Sequence, residues 1–253
     1  MSLIYHDVRP QTSDRQPSGS GVVDWYAVSP GVFSSHLDAI GTASTEPSLV
    51  TDGLSRDRLF LTFDDGEVSA ITTVASMLEQ RRWRGHFFII TSRIGTPGYL
   101  SEEDLRALAE RGHVIGSHSH THPIMTELGE PQIRAEWTKS REILETILGD
   151  SVVVASVPTG HYAPRIGRLA VECGYQHVFT SEPWLKPRSL GTGTIYGRFM
   201  VRGGTSAELV RAVCSFSRPA VTRQRLAWQS RKVLKVTLGR HYEDVRRAVI
   251  SRL

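Results

Sequence analysis

Leu59-Phe60-Leu61-Thr62-Phe63-Asp64-Asp65-Gly66 is the stretch from which the fold can be read. An unbroken apolar run bounded by charge on both sides reads as a buried strand of a parallel sheet. Two adjacent carboxylates and a glycine follow at its C-terminal end. Ligand-binding and catalytic groups of α/β folds collect at the carboxyl ends of strands, where loops vary while the sheet holds them rigid. Adjacent aspartates repel, so they persist together where a cation separates their roles or where one of them holds a proton. The alternative reading is an Asp-Asp-Gly turn that merely leaves a strand.

A second cluster weighs against that alternative. Val114-Ile115-Gly116-Ser117-His118-Ser119-His120-Thr121-His122-Pro123 sets histidines at alternate positions directly after another short apolar run. On a helical turn His118 and His122 share a face while His120 points elsewhere. Pro123 biases His122 away from α geometry, so the turn ends there. Clustered histidines after a strand, with carboxylates nearby, favour a metal site. Neutral imidazoles and one carboxylate suit zinc with a position left open for water; cobalt, nickel or iron(II) fit the same donors.

Thr62-Phe63-Asp64-Asp65-Gly66 together with His118-Ser119-His120-Thr121-His122 resembles the two diagnostic motifs of the polysaccharide deacetylase family, carbohydrate esterase family four. Order, strand context and interval all fit, and the resemblance extends over roughly residues 1–205. It implies a distorted (β/α) barrel of the α/β class and metal-dependent removal of N-acetyl groups from sugars. Residue by residue, Asp64 resembles the family's general base, and Asp65, His118 and His122 its metal ligands; His120 has no role in that pattern.

The N-terminal Leu3-Ile4-Tyr5-His6 resembles the apolar strand ending in a catalytic histidine that most members carry late in the chain, here permuted to the front. No Leu-x-His equivalent follows residue 190. His6 is thus the expected general acid, with Asp7 beside it to orient it. One departure stands out: most members place an Arg before a Pro-x-Gly turn to hold the general base, and this chain has Ser156-Val157 there. The turn Pro158-Thr159-Gly160 survives, and its backbone N–H groups suit an oxyanion. His161 either lines the pocket or is structural. Trp184, in the loop Ser181-Glu182-Pro183-Trp184, offers either a sugar-stacking ring or packing. Arg198 and Arg202 are expected to touch an anionic part of a substrate.

The remaining chain alternates strand and helix, the β/α signature. Helices are expected from Ser29-Pro30 to Ile40, from Gly66 to about Trp83, from Ser101 to Gly112, from Glu130 to about Leu148 and over 163–174. Strands are expected at 86–90, 152–155, 175–180 and 195–202, the last closing the sheet, and residues 9–21 read as a surface loop. At 253 residues the chain suffices for one well-buried domain. A net charge of +4 makes the whole no polycation, and 40% apolar with 22% charged residues is ordinary for a globular protein. Cys173 and Cys214 match no metal spacing and are expected as reduced thiols.

Residues 1–215 are expected to form the barrel and 216–253 a basic helical extension, two helices broken at Gly239. With Leu226, Trp228, Val233 and Leu234 among Arg and Lys, the extension either lies on an anionic membrane surface or packs on the barrel with a solvated basic face. Nothing reads as a base-recognition motif, so no nucleic-acid partner is expected. No apolar leader or spanning stretch is visible, which points to the cytoplasm and towards an N-acetylated saccharide intermediate, lipid-linked if the extension meets a membrane. The chemistry expected is deacetylation. Its rivals are a catalytically degenerate glycan binder, suggested by the missing Arg, and an iron oxygenase built on the same two-His-one-carboxylate set.

Overall fold

The computed structural model describes residues 1–10, 25–43, 45–53 and 58–238. The expected loop at 9–21 lies almost wholly outside them. In chain order the elements are β1 (Ser2–Tyr5), α1 (Pro30–Gly41), β2 (Phe60–Phe63), α2 (Ala75–Glu79), β3 (His86–Ile89), α3 (Glu102–Glu110), β4 (Val114–Ser117), α4 (Glu130–Leu148) and β5 (Val154–Ser156). There follow α5 (Pro164–Glu172), β6 (His177–Phe179), β7 (Arg188–Leu190), β8 (Gly193–Tyr196), β9 (Phe199–Met200), α6 (Ala207–Cys214) and α7 (Arg218–Leu238). The strands form one curled sheet in the order β7-β8-β6-β5-β4-β3-β2-β1-β9, parallel throughout except at the β7–β8 hairpin. This is the expected distorted (β/α) barrel with a helical C-terminal extension.

Side chains alternate across each strand, and two apolar clusters result. Phe60, Phe88, Val154, Phe179 and Tyr196 gather with Val50 in one. Their neighbours Leu61, Phe63, Phe87, Ala155 and Val178 pack with Leu78, Leu105, Trp137, Leu144 and Leu169 of the helices in the other. Burial of each large apolar side chain contributes roughly 1.5–3 kcal/mol. Phe60, Thr62 and Asp64 therefore fall on one face of β2 and its continuation, which aims the carboxylate into the mouth of the barrel. Gly116 on β4 makes room for the inner aromatics, since a Cβ there would lie 2.7 Å from the Phe88 ring and 2.8 Å from the Val154 carbonyl.

Helix starts follow their caps. Ser29 accepts from the Val32 N–H with Pro30 at the first turn of α1, and Ser101 and Asp104 form a reciprocal capping box on α3. The helix expected directly after Gly66 starts later, as a π-helical turn at Ala70–Val74 running into α2. The cause is local: Glu67 bridges Tyr99 and the Val68 N–H donates to Gly98, so these residues are held in a loop ladder. The strand expected at 195–202 is two strands. β8 pairs with β6, β9 pairs with β1, and Gly197-Arg198 alone cross between them. The chain therefore passes from β8, next to one edge of the sheet, to β9 at the other edge through a seam of two residues. The first helix of the extension, α7, runs unbroken to Leu238; the expected break at Gly239 and the second helix lie outside the described residues.

Candidate active site

Every residue expected at the site follows the C-terminal end of a strand: His6 after β1, Asp64 and Asp65 after β2, His118 and His122 after β4, Thr159, Gly160 and His161 after β5, Trp184 after β6. The sheet brings them to one end. Backbone conformation there is unusual. Asp65, Ser119, His122 and Thr159 all have φ between 60° and 77°, a region that costs a non-glycine residue of order 1 kcal/mol or more. Such strain persists where the surroundings enforce it.

The enforcement around the histidines comes from α4. The Glu136 carboxylate accepts the backbone N–H groups of His120 (2.9 Å) and Thr121 (2.8 Å) and the Thr121 hydroxyl (2.7 Å). The Ser119 hydroxyl accepts the His122 N–H at 3.0 Å. His120 itself turns away to Thr91, with Nδ1 3.0 Å from the threonine hydroxyl.

Asp65, His118 and His122 each present one ligand atom, all within 4.8 Å of one another. Asp65 Oδ1 lies 3.5 Å from His118 Nε2 and 3.6 Å from His122 Nε2, too far to be satisfied by hydrogen bonds. Bonds of about 2.0–2.2 Å to a tetrahedral ion give ligand–ligand edges of roughly 3.4 Å, so the triad is spaced for one. Asp65 Oδ1 is buried and has no hydrogen-bond partner, an acceptor left for a cation. His118 Nδ1 is 3.0 Å from the Ser156 carbonyl, which makes Nδ1 the donor and turns the Nε2 lone pair to the site. Burial, helped by the neighbouring His118, pushes the His122 imidazole down to about 4, so it stays neutral and able to ligate. These donors fit a small divalent metal.

Asp64 is held differently. It is 3% exposed, and a buried carboxylate alone would take up a proton. Arg198, fully buried, meets it as a fork: Nη1 to Oδ1 at 2.6 Å and Nη2 to Oδ2 at 2.9 Å. The other guanidinium donors go to the Thr180 carbonyl, the Thr62 hydroxyl and the Ser156 hydroxyl at 3.0, 3.2 and 2.7 Å. Desolvation raises the Asp64 pKa, but Arg198, His118 and His6 outweigh it and hold the carboxyl well below the usual carboxylate range. Asp64 is ionised and aimed at the triad, its Oδ2 3.5 Å from His118 Nε2.

Two sequence expectations are thereby corrected. Arg198 cannot touch a substrate, because it is buried against Asp64. The Arg missing before the Pro158 turn is supplied from the seam, with Ser156, small enough to admit it, in the vacated place. Nothing local in the sequence marked Arg198 beyond a charge within a strand pattern. Glu136 gave no signal either, since it reads as any polar position of α4.

His6, just after the strand adjacent to β2, lies against Tyr26 with ring centroids 4.7 Å apart and planes tilted by 38°. Thr159 and Gly160 form a 3₁₀ turn with positive φ at both, and His161 follows half-buried. The Trp184 ring is engaged within the protein: the Arg188 guanidinium lies 3.7 Å above it, its pyrrole edge meets Gly197, and Tyr162 stands edge-on at 6.3 Å. These contacts are those of packing, one of the two readings of Trp184, with Arg188 over one face of the ring.

A family model described as polysaccharide deacetylase matches residues 52–178, the segment from before β2 to β6. The Bacillus subtilis protein YxkH is 24% identical over 215 residues, 81% of this chain and 72% of that protein. A peptidoglycan-N-acetylglucosamine deacetylase of Bacillus cereus is 26% identical over 136 residues, 53% of this chain and 48% of that protein; the match thus spans about half of its length. IcaB from Ammonifex degensii superposes with a TM-score of 0.71 at 21% identity, covering 85% of this chain and 96% of that one. The matched segment, half of the chain, holds the Asp64-Asp65 pair with His118 and His122, and the chain belongs to the polysaccharide deacetylase family.

Proposed function

We propose that this protein is a divalent-metal-dependent hydrolase that removes the acetyl group from an N-acetylated sugar. The observation that carries the reading is an ionised Asp64, locked by Arg198, facing the Asp65–His118–His122 triad. A divalent ion there, zinc by donor type, supplies Lewis acidity towards the acetyl carbonyl and an attacking water. In that reaction Asp64 would accept a proton from the attacking water, and His6, the permuted counterpart of the family's late histidine, would deliver one to the leaving amine. The backbone of Thr159-Gly160 is the oxyanion partner, and His161 lines the pocket wall. The Arg198–Asp64 pair weighs against a degenerate binder, since the missing Arg was its main support.

The division into a barrel at 1–215 and an extension at 216–253 is part of the same proposal. Ala220 and Val221 of α7 are buried, Arg225 Nε donates to the Pro183 carbonyl at 3.0 Å, and Leu226 is 58% exposed. The extension thus docks by its start and leaves an apolar and basic surface suited to an anionic membrane face and a lipid-linked saccharide. Among the described residues no helix is long and apolar enough to cross a membrane.

The deciding experiment measures acetate release from N-acetylhexosamine oligomers by metal-stripped protein and by protein restored with zinc, cobalt or, under argon, iron(II). Metal-dependent release supports the reading. Stoichiometric metal binding without release from any oligomer overturns it.

A further inference from the structure

The loop that leaves β6 is the mould in which Arg198 sits. The Thr180 carbonyl accepts Arg198 Nε at 3.0 Å, and the Glu182 carbonyl accepts the Arg198 backbone N–H at 3.0 Å. One loop thus fixes both the backbone and the guanidinium of the residue. The Glu182 carbonyl also accepts the Trp184 N–H at 2.9 Å, and the Glu182 N–H donates to the Thr180 hydroxyl at 3.3 Å. The fit is tightest at Gly197, where a Cβ would lie 2.5 Å from the Glu182 carbonyl oxygen and run into the Trp184 ring. The loop reaches Asp64 through Arg198, whose fork holds the carboxylate.

The outer side of this loop is held by α7. Arg225 Nε donates to the Pro183 carbonyl at 3.0 Å, across 42 positions of chain. Pro183 is buried; its ring fixes its own φ and disfavours the helical conformation at Glu182. The carbonyl that Arg225 grips and the carbonyl that takes the Arg198 N–H therefore belong to adjacent residues of a stiff dipeptide. Burial along α7 is one-sided. Val221, Gln224 and Trp228, at i, i+3 and i+7, are buried or half-buried, whereas Thr222, Arg223, Leu226 and Ala227 are exposed. Arg225 reaches the loop from beside that docked face.

Resting on the deacetylase reading, we propose that α7 is a working arm of the site: through Arg225 it steadies the 180–184 loop, and through the loop it holds the Arg198 guanidinium against Asp64. Arg225 is a positioning residue that touches no reacting atom. Docking of the C-terminal extension thereby regulates turnover, and whatever draws α7 off the barrel slows the reaction without displacing metal or sugar.

The test compares the whole chain, zinc-loaded, as wild type, Arg225→Ala, Arg225→Lys and, as a control on the exposed side of the same helix, Arg223→Ala. Acetate release from N-acetylglucosamine oligomers is measured beside hydrogen exchange of the Trp184 and Arg198 amides, with the amides of β3 as reference. Loss of one hydrogen bond in Arg225→Ala is expected to speed exchange of both amides about 3- to 10-fold. In the same variant kcat falls about 3-fold or more, while KM, zinc content and β3 protection stay unchanged. Arg225→Lys, which can still donate to the Pro183 carbonyl, recovers most of both effects, and Arg223→Ala matches the wild type. Unaltered exchange in Arg225→Ala overturns the inference, as does faster exchange at a wild-type kcat. A lower kcat accompanied by lost β3 protection is general destabilisation and also overturns it. If the wild type releases no acetate, the deacetylase reading fails and exchange alone decides. Faster exchange confined to Trp184 and Arg198 then supports the arm, and unchanged exchange overturns it.

Discussion

Arg198 and Asp64 are 134 positions apart in the chain and meet as a two-pronged ion pair at 2.6 and 2.9 Å, both fully enclosed. The pair joins the seam of the sheet to the end of β2. Removing one partner of a buried pair leaves an uncompensated charge, typically at a cost of about 3–5 kcal/mol. Arg198→Met is therefore expected to lower the melting temperature and to cut acetate release about 100-fold or more. Arg198→Lys, which cannot make the fork, should recover stability better than activity. A wild-type rate in Arg198→Met would remove it from any role in positioning the base.

Asp64 and the Asp65–His118–His122 triad should separate cleanly by metal content. Asp64→Asn is expected to bind zinc as the wild type does while losing roughly 10²–10⁴-fold in kcat. His118→Ala should lose both metal and activity. Metal analysis beside a kinetic assay checks this, and depleted zinc in Asp64→Asn would place that residue among the ligands.

Glu136 braces the loop between His118 and His122, and through it the proposed metal site. Glu136→Ala frees two backbone N–H groups and one hydroxyl, and zinc affinity should fall about 10–100-fold. Glu136→Gln, which keeps one accepting oxygen, should fall less. Competition with a chromophoric chelator reads both, and an unchanged affinity in Glu136→Ala would show that the loop holds itself.

The strand-helix alternation was legible because each buried strand is a short apolar run and each helix carries its own cap, as Ser29 and Ser101 show. The convergence of Asp65, His118 and His122 was legible because they follow two such runs on nearby parallel strands. Arg198 was not, because a contact spanning 134 positions leaves no local period. The split of 195–202 into two strands was hidden for the same reason: which strand accepts Phe199 is decided by curvature of the whole sheet. The delayed start of α2 reflects a ladder with residues 98–99 that no pattern within 67–83 announces.

His86 predicts an acid-sensitive fold. Its Nδ1–H donates to the Leu61 carbonyl at 3.0 Å and its Nε2 accepts the Val50 N–H at 2.9 Å, so the ring has no room for a second proton. Burial pushes it down to about 4. The unfolded chain, near 6.5, binds the proton first, so the stabilisation is complete above about 6.5 and is lost as pH falls towards about 4, by on the order of 3 kcal/mol. His36, His113 and His177 are lowered by burial in the same direction. Chemical denaturation across this window should show the loss, and His86→Phe should flatten it; a slope unaltered by that substitution would assign the acid sensitivity elsewhere.

His6→Ala should retain zinc and fold while kcat drops about 10²–10⁴-fold. Slow turnover restored by added imidazole would locate the loss in proton delivery, whereas undiminished turnover would remove His6 from the reaction.

The seam at Gly197-Arg198 gives the molecule a built-in check on its own assembly. The two-residue crossing from β8 to β9 delivers the guanidinium that keeps Asp64 charged. A chain in which β9 has not reached β1 lacks that cation, and its buried Asp64 then favours the protonated form, unable to accept a proton from water. If Asp64 is the base, such a molecule would be silent rather than sluggish.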